Sequence, residues 1–530
     1  MNDIARQVYV ISDLHLGGEK GFQLCTHTKE LESFIKELVD KPKPPNGPKI
    51  ELVINGDFVD FLAEKDESGE WEAFTENPDE AVKKLQKIAG KDQEEHVFAA
   101  LGNFLKKGHR LTILLGNHDI ELSFPKCRQK LEELLGVESE HKYRFIYDGE
   151  AYVVGKERKA LIEHGNRYDN FNVLDNDSLR EIRSLQSRGQ QMQSEYSFNP
   201  PPGSKIVAKL MNLIKQEYPF VDILKPENEA VIPILLALKP CYREDLVEIA
   251  SLWLEARRYR LERESIPSYK GNVAASTTFT GQESNGRYYR SNLAAHAKKT
   301  DSFQENPLQQ LLVEILVSRE DVAAFLQEIE ALDLGNCRQN IVDVTSVIKY
   351  ASGWMRLLSI ANDKNLDRRL VPLQKVLHVL KNDETFNPGK ETNRKYFNAA
   401  QNLASMGSFD YVIFGHTHLA KQEAMKAGTY LNSGTWCNLM KLPPEIFADS
   451  KKESRENLKK FLEGLLAQKE LLQNRGSREE IKDEQDLWVK APLNYVCLNL
   501  DSQDNITNGS VESYKGKLPK NISSGGTDGT

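Results

Sequence analysis

Acidic, histidine and asparagine residues recur just beyond short apolar runs in this chain. Asp13 and His15 follow VYVIS, Asp57 and Asp60 follow ELVING, and Asn117 and His118 follow TILLG. His164 ends ALIEH, and His416 and His418 follow YVIFG. Carboxylate oxygens, imidazole nitrogens and an amide oxygen are the donors that borderline divalent ions accept. Together they suffice for two such ions. A pair of ions at that spacing activates water and neutralises charge on a phosphate.

The spacing assigns each residue a task. In an extended segment residues i and i+2 point the same way, so Asp13 and His15 are expected to face one ion. Asp57 follows Gly56, which lets the backbone approach closely, and its two anionic oxygens make it the natural shared ligand. Asp60, a turn later, is expected to cap or to orient a ligand. Asn117 offers an oxygen without adding charge. His118 is then placed as an acid or electrostatic clamp on the phosphate, with Asp119 expected to hold its ring. One ion would take Asp13, His15, Asp57 and His418; the other would take Asp57, Asn117, His164 and His416. A packed histidine or a polar turn explains any single element; it does not explain the ordered set among only 11 histidines. No cysteine has a base beside it in sequence, so water rather than a side chain is the expected nucleophile.

These residues need strands to carry them. QVYVIS (7–12), KIELVINGD (49–57) and RLTILLGNHD (110–119), the last ending in a polar turn, read as short strands. Between the first two, residues 27–40 carry apolar side chains at 31, 34, 35, 38 and 39, a helical stripe that PKPPNGP ends. A helical region with a break near Gly90 spans about 77–107. Such alternation predicts an α/β core with ligands beyond the strand carboxyl ends. YRFIYDGEAYVVGKERKALIEHG reads as successive short strands, and FDYVIFGHTH as the last core strand. A helix over 451–473 and a terminal hairpin near 495–516 complete the pattern. The expected domains are 1–169 as the first part of the core, 170–404 as a mainly helical insertion, 405–516 as the remainder, and 517–530 as a flexible tail.

Bulk properties set limits. With 530 residues, 39% hydrophobic and 28% charged, the chain can bury a large core. A net charge of -8 argues against a general nucleic-acid coat. The six cysteines form no CxxC pair and suit a reducing compartment. The first strand begins without room for a secretory signal, and no apolar run is long enough to span a bilayer, so the expected location is cytoplasmic.

The ordered set Asp-x-His (13, 15), Gly-Asp-x-x-Asp (56–60), Gly-Asn-His-Asp (116–119), His164 and Gly-His-Thr-His (415–418) resembles the calcineurin-like metallophosphoesterase family. The resemblance covers roughly 7–169 and 405–437. It implies a four-layer αββα metallophosphoesterase sandwich, two divalent ions in the arrangement above (Mn first, with Fe, Zn or Mg as alternatives), and hydrolysis of phosphomonoesters, phosphodiesters or pyrophosphates. SDLHLG also looks like the UDP-2,3-diacylglucosamine pyrophosphatases. Those enzymes carry arginine where this chain has His118, and a small cap where it has a long insertion. The metal core is carried over and the lipid substrate is not.

Past His164, Arg167 is placed to meet a phosphate or to form a salt bridge, Tyr168 to stack on a ring or to pack in the core, and Asn170 to contact substrate. ARRYRLER (256–263), GRYYR (286–290) and NRKYF (393–397) interleave basic and aromatic residues, a pattern that suits single-stranded nucleic acid. The expected activity is phosphodiester or pyrophosphate cleavage in a nucleotide or other phosphorylated metabolite. A nuclease, a phosphomonoesterase and a catalytically inactive scaffold are the alternatives, and the insertion is compatible with a homodimer.

Overall fold

The computed structural model describes residues 4–18, 23–42, 47–90, 94–137, 142–169, 171–190, 198–218, 221–225, 234, 237–238, 366–379, 395–448, 450–475, 489–490 and 492–518. Asn170, the polar segment 265–286 and the basic clusters at 256–263 and 286–290 lie outside them. The chain divides into two compact units: residues 1–227, 384–443 and 464–530 form the first, and residues 228–383 and 444–463 the second.

The first unit is an α/β structure built on two sheets. The first contains β1 (Arg6–Ile11), β2 (Lys49–Asn55), β3 (Arg110–Leu114) and β4 (Tyr143–Ile146), all parallel. The terminal hairpin, β13 (Asn494–Leu500) and β14 (Ile506–Ser513), extends it antiparallel beyond β1. The second sheet runs in the order β5 (Tyr152–Gly155), β6 (Lys159–Ile162), β8 (Tyr411–Phe414), β10 (Thr429–Asn432), β9 (Lys421–Ala424). Its central strands β6, β8 and β10 are parallel. A small third sheet joins β7 (Leu224–Lys225), β11 (Leu439–Lys441) and β12 (Val489–Lys490).

One apolar cluster occupies the space between the two large sheets. It combines Val8, Val10, Val53, Val496 and Leu498 from the first with Tyr152, Ala160, Ile162, Ile413 and Leu431 from the second, all buried. Facing inner surfaces of this kind remove apolar area from both sheets at once. The outer faces are covered by helices. In α1 (Thr28–Val39) the residues Leu31, Phe34, Ile35, Leu38 and Val39 are buried, as their spacing requires. Phe34 packs against Tyr9 and Tyr495 on the outer side of the first sheet. The expected helical break falls between α2 (Pro78–Ala89) and α3 (Glu94–Lys106). Asn77 caps α2 by accepting from the amides of Asp79 and Glu80, and Pro78 supplies the preset first turn. α4 (Pro125–Leu135) follows β3, and α5 (Asn176–Ser187) follows β6. On the second sheet, Tyr396, Phe397, Ala400 and Ala404 of the helix Lys395–Gly407 pack on Leu161, Val412, Phe414 and Tyr430. The layering is therefore helix, sheet, sheet, helix.

In the second unit the described helix Leu366–Val379 directs Gln374 to Ser454 Oγ at 2.6 Å and Asp367 to Lys459 at 2.8 Å. No helix among the described residues is long and apolar enough to cross a membrane.

Candidate metal centre

Five parallel strands end at the candidate residues. Asp13 follows β1, Asp57 follows β2, Asn117 and His118 follow β3, His164 follows β6, and His416 and His418 follow β8. The expected strand alternation is not what aims Asp13 and His15. Both are left-handed, with φ of 54° and 44°. Asp57 (51°), His416 (64°) and His418 (60°) share that conformation, so five of the eight such non-glycine residues among those described lie here. Each costs about 1–2 kcal/mol relative to an ordinary backbone. The strain turns the chain sharply off each strand, so that side chains from separate loops can converge.

Two groups of donors result. In the first, His15 Nε2 lies 3.1 Å from His418 Nε2 and 3.7 Å from Asp57 Oδ2, and His418 Nε2 lies 3.3 Å from Asp13 Oδ1. Ligands of a tetrahedral ion with ~2.1 Å bonds stand about 3.4 Å apart. In the second, His164 Nε2 is 3.2 Å from Asp57 Oδ2, and His416 is near enough to complete a cluster with both. His164 Nδ1 donates to the carbonyl of Asn55 at 2.8 Å, which leaves Nε2 as its ligand atom. Gly56 permits this contact, because a Cβ there would sit 2.4 Å from His164 Nδ1. Asp57 Oδ2 thus stands between the two groups. Asn117 Oδ1 is buried with no hydrogen-bond donor, as expected of an oxygen reserved for a cation. The donor set therefore fits two divalent ions.

The charges agree. Burial would push the Asp57 carboxyl up, but the His164 and His118 imidazoles outweigh it and hold it well below the usual carboxylate range. Burial likewise opposes the charge on Asp13, and His418 brings that carboxyl down to about 2. His164 is disfavoured as a cation by burial, yet Asp57 raises it to about 10. Positive charge is what these carboxylates demand.

Asp60 serves both histidines above the first group. Its Oδ2 accepts from His15 Nδ1 at 3.2 Å, and its Oδ1 accepts from His118 Nδ1 at 3.1 Å. The ring contact expected of Asp119 is therefore made by Asp60. Asp119 is fully buried and accepts instead from the backbone amides of Gly116 (2.7 Å) and Phe58 (2.8 Å), which stitches the β2 and β3 loops together. Burial, together with the nearby Asp57 charge, raises its carboxyl to about 8. His118 donates its backbone amide to Asp57 Oδ1 at 2.9 Å and keeps its ring partly exposed.

The expected substrate contacts are placed differently. Arg167 Nε lies 3.1 Å from Glu163 Oε2, and Tyr168 OH donates to Glu163 Oε1 at 2.5 Å while its ring packs on Phe414. A buried acid one turn back holds both side chains. Two residues not singled out from the sequence do reach the centre: Asp169 lies 3.1 Å from His416 Nε2, and Asn172 accepts from Asn117 Nδ2 at 3.4 Å. Their signal was weak, an acid and an amide in a polar loop after His164.

The family model for calcineurin-like phosphoesterase matches residues 6–220. Over those residues the chain is similar to calcineurin-like phosphoesterases. Asp13, His15, Asp57, Asp60, Asn117, His118 and His164 lie within the matched residues; His416 and His418 lie beyond them. Among solved structures, the chain is similar to phosphopantetheinyl hydrolase from Mycobacterium tuberculosis, at 12% identity and a TM-score of 0.16. That similarity covers 40% of this chain and 64% of the other, so the chain spans less than two thirds of that protein's length. No curated protein matches the chain.

Proposed function

We propose that the protein is a dinuclear metal-dependent hydrolase that cleaves a phosphodiester or pyrophosphate bond in a nucleotide or other phosphorylated metabolite, with water as nucleophile. The observation that carries this reading is Asp57 Oδ2, 3.7 Å from His15 Nε2 and 3.2 Å from His164 Nε2, a single anionic oxygen between a histidine of each donor group. Asp13, His15, Asp57 and His418 would hold one ion; Asp57, Asn117, His164 and His416 would hold the other. Divalent ions bound there, Mn in the first instance, supply a water of lowered pKa and neutralise charge on the phosphate.

The side chains account for the rest. Asp60 holds the His118 ring through Nδ1, and its carboxylate favours the imidazolium form, in which Nε2 also carries a proton that can be transferred. A leaving oxygen can take that proton as its bond to phosphorus breaks. The Asp57 carboxylate holds the His118 backbone as well, so the acid and the shared ligand keep a fixed separation. Loss of catalysis, as in a binding scaffold, would remove the reason for a complete ligand set and a held acid.

The long chain between β6 and β8 favours an extended substrate over a simple monoester. A panel with added Mn tests the choice: bis-nitrophenyl phosphate, nitrophenyl phosphate, nucleotide pyrophosphates, cyclic nucleotides and single-stranded DNA. Faster turnover of a diester or pyrophosphate than of the monoester is expected. Activity confined to the monoester would reject the substrate class, and no hydrolysis of any member would reject the enzyme.

A further inference from the structure

Asn117 and His416, assigned above to the same ion, approach it from different sheets. A chain of polar contacts connects them. Asn117 Nδ2 donates to Asn172 Oδ1 at 3.4 Å; Asn172 Nδ2 donates to Asp169 Oδ2 at 3.0 Å; and the same Asp169 oxygen lies 3.1 Å from His416 Nε2. Each contact removes an ambiguity. An asparagine can present either its oxygen or its nitrogen, and the Asn172 contact turns the Asn117 nitrogen away, leaving the buried Oδ1 without a donor. An imidazole that gives its Nε2 proton to a carboxylate keeps Nδ1 free as a ligand atom.

The relay is itself fixed. The amide of Phe171 donates to Asp169 Oδ1 at 3.1 Å, and Asn166 Nδ2 donates to the carbonyl of Asn172 at 2.9 Å. Gly203, whose amide donates to the carbonyl of Phe171 at 2.8 Å, presses on the same spot. A Cβ at 203 would lie 2.3 Å from Asn172 Oδ1 and 3.0 Å from the Phe171 carbonyl.

We propose that Asp169 and Asn172 are positioning residues for the second ion: together they decide which atoms Asn117 and His416 offer, and so set the affinity of that position alone. This rests on the two-ion reading above. The experiment is calorimetric titration of the metal-free, full-length protein with Mn, followed by Co titration monitored by visible absorption. The parent is expected to show two binding events. Asp169→Ala should weaken one by about 10–100-fold, the range found for residues that orient ligands, and leave the other unchanged. Asp169→Asn, which keeps an acceptor for Nε2, should recover part of the loss. Gly203→Ala removes no polar group, yet should weaken the same event by displacing the Asn172 amide. Two parent-like events in both Asp169→Ala and Gly203→Ala would overturn the proposal, and so would equal weakening of both events. A parent that binds fewer than two ions would instead reject the dinuclear centre, and the two failures are distinguishable.

Discussion

The backbone amide of His416 donates to both carboxylate oxygens of Asp13, at 3.1 and 2.9 Å, across 403 positions of sequence. A candidate ligand that follows the first strand of one sheet thus grips the loop that carries two candidate ligands from the other. Asp13→Ala should therefore do two things. It should abolish tight binding of the first ion, and it should destabilise the metal-free protein by about 1–3 kcal/mol, because a partly buried amide loses its acceptor. Asp13→Asn, which retains an oxygen, should lose ion affinity with less effect on folding. Metal titration and urea unfolding in chelator separate the two effects; equal unfolding midpoints for Ala, Asn and parent would refute the structural half.

His118 and Asp60 form a separable pair. His118→Ala should lower kcat by about 10²–10⁴-fold for a poor leaving group, with less effect on nitrophenolate, while both ions remain bound. Asp60→Ala should reduce turnover as well, but also weaken the first ion, because Asp60 orients His15. Leaving-group dependence of kcat and metal content by mass spectrometry check both. An unchanged kcat on a poor leaving group in His118→Ala would remove it as the acid.

In the proposed centre, Asp57 is the residue that both ions would share. Chelation should abolish activity and added Mn should restore it. Asp57→Asn removes the shared negative charge while keeping the shape, so metal content should fall from two ions per chain to one or fewer. Turnover should fall by more than about 100-fold, since even residues that merely orient ligands cost up to that much. Two ions retained at full activity would show that Asp57 is not shared.

Much of this was legible from residue types alone. The apolar runs that became β1, β2, β3, β6 and β8 are short, β-branched and abrupt, and each stops where a donor begins. The local geometry was not legible. Alternation along a strand suggested how Asp13 and His15 share an ion, but both lie past the strand in left-handed turns that only the converging loops can hold in place. Asp119 is adjacent to His118 and was the natural partner for its ring. Asp60, 58 positions away, takes that place because the β2 and β3 loops are neighbours in the parallel sheet. For Arg167 and Tyr168 the alternatives to substrate contact, a salt bridge and core packing, are what the structure holds: Glu163 pairs with Arg167, and the Tyr168 ring packs on Phe414. In each case the deciding partner comes from tertiary packing or from a turn whose path short-range patterns do not specify.

Glu121 offers a test of the fold that does not depend on catalysis. It is buried, and its Oε1 accepts from the amide of Thr75 at 2.8 Å. Burial outweighs that bond and raises its carboxyl from 4.5 to about 7. A carboxyl raised on folding binds its proton more tightly in the native state. Its contribution is therefore fully present below about pH 4.5 and is lost as pH rises through about 7, with a limit of a few kcal/mol. Glu121→Gln keeps the acceptor for Thr75 and removes the ionisation. In chelator, the variant should be more stable than the parent above about pH 8, and the difference should shrink steadily toward about pH 5. Denaturant midpoints across that range measure it directly; a gap that does not change with pH would show that the Glu121 carboxyl ionises alike in folded and unfolded chains.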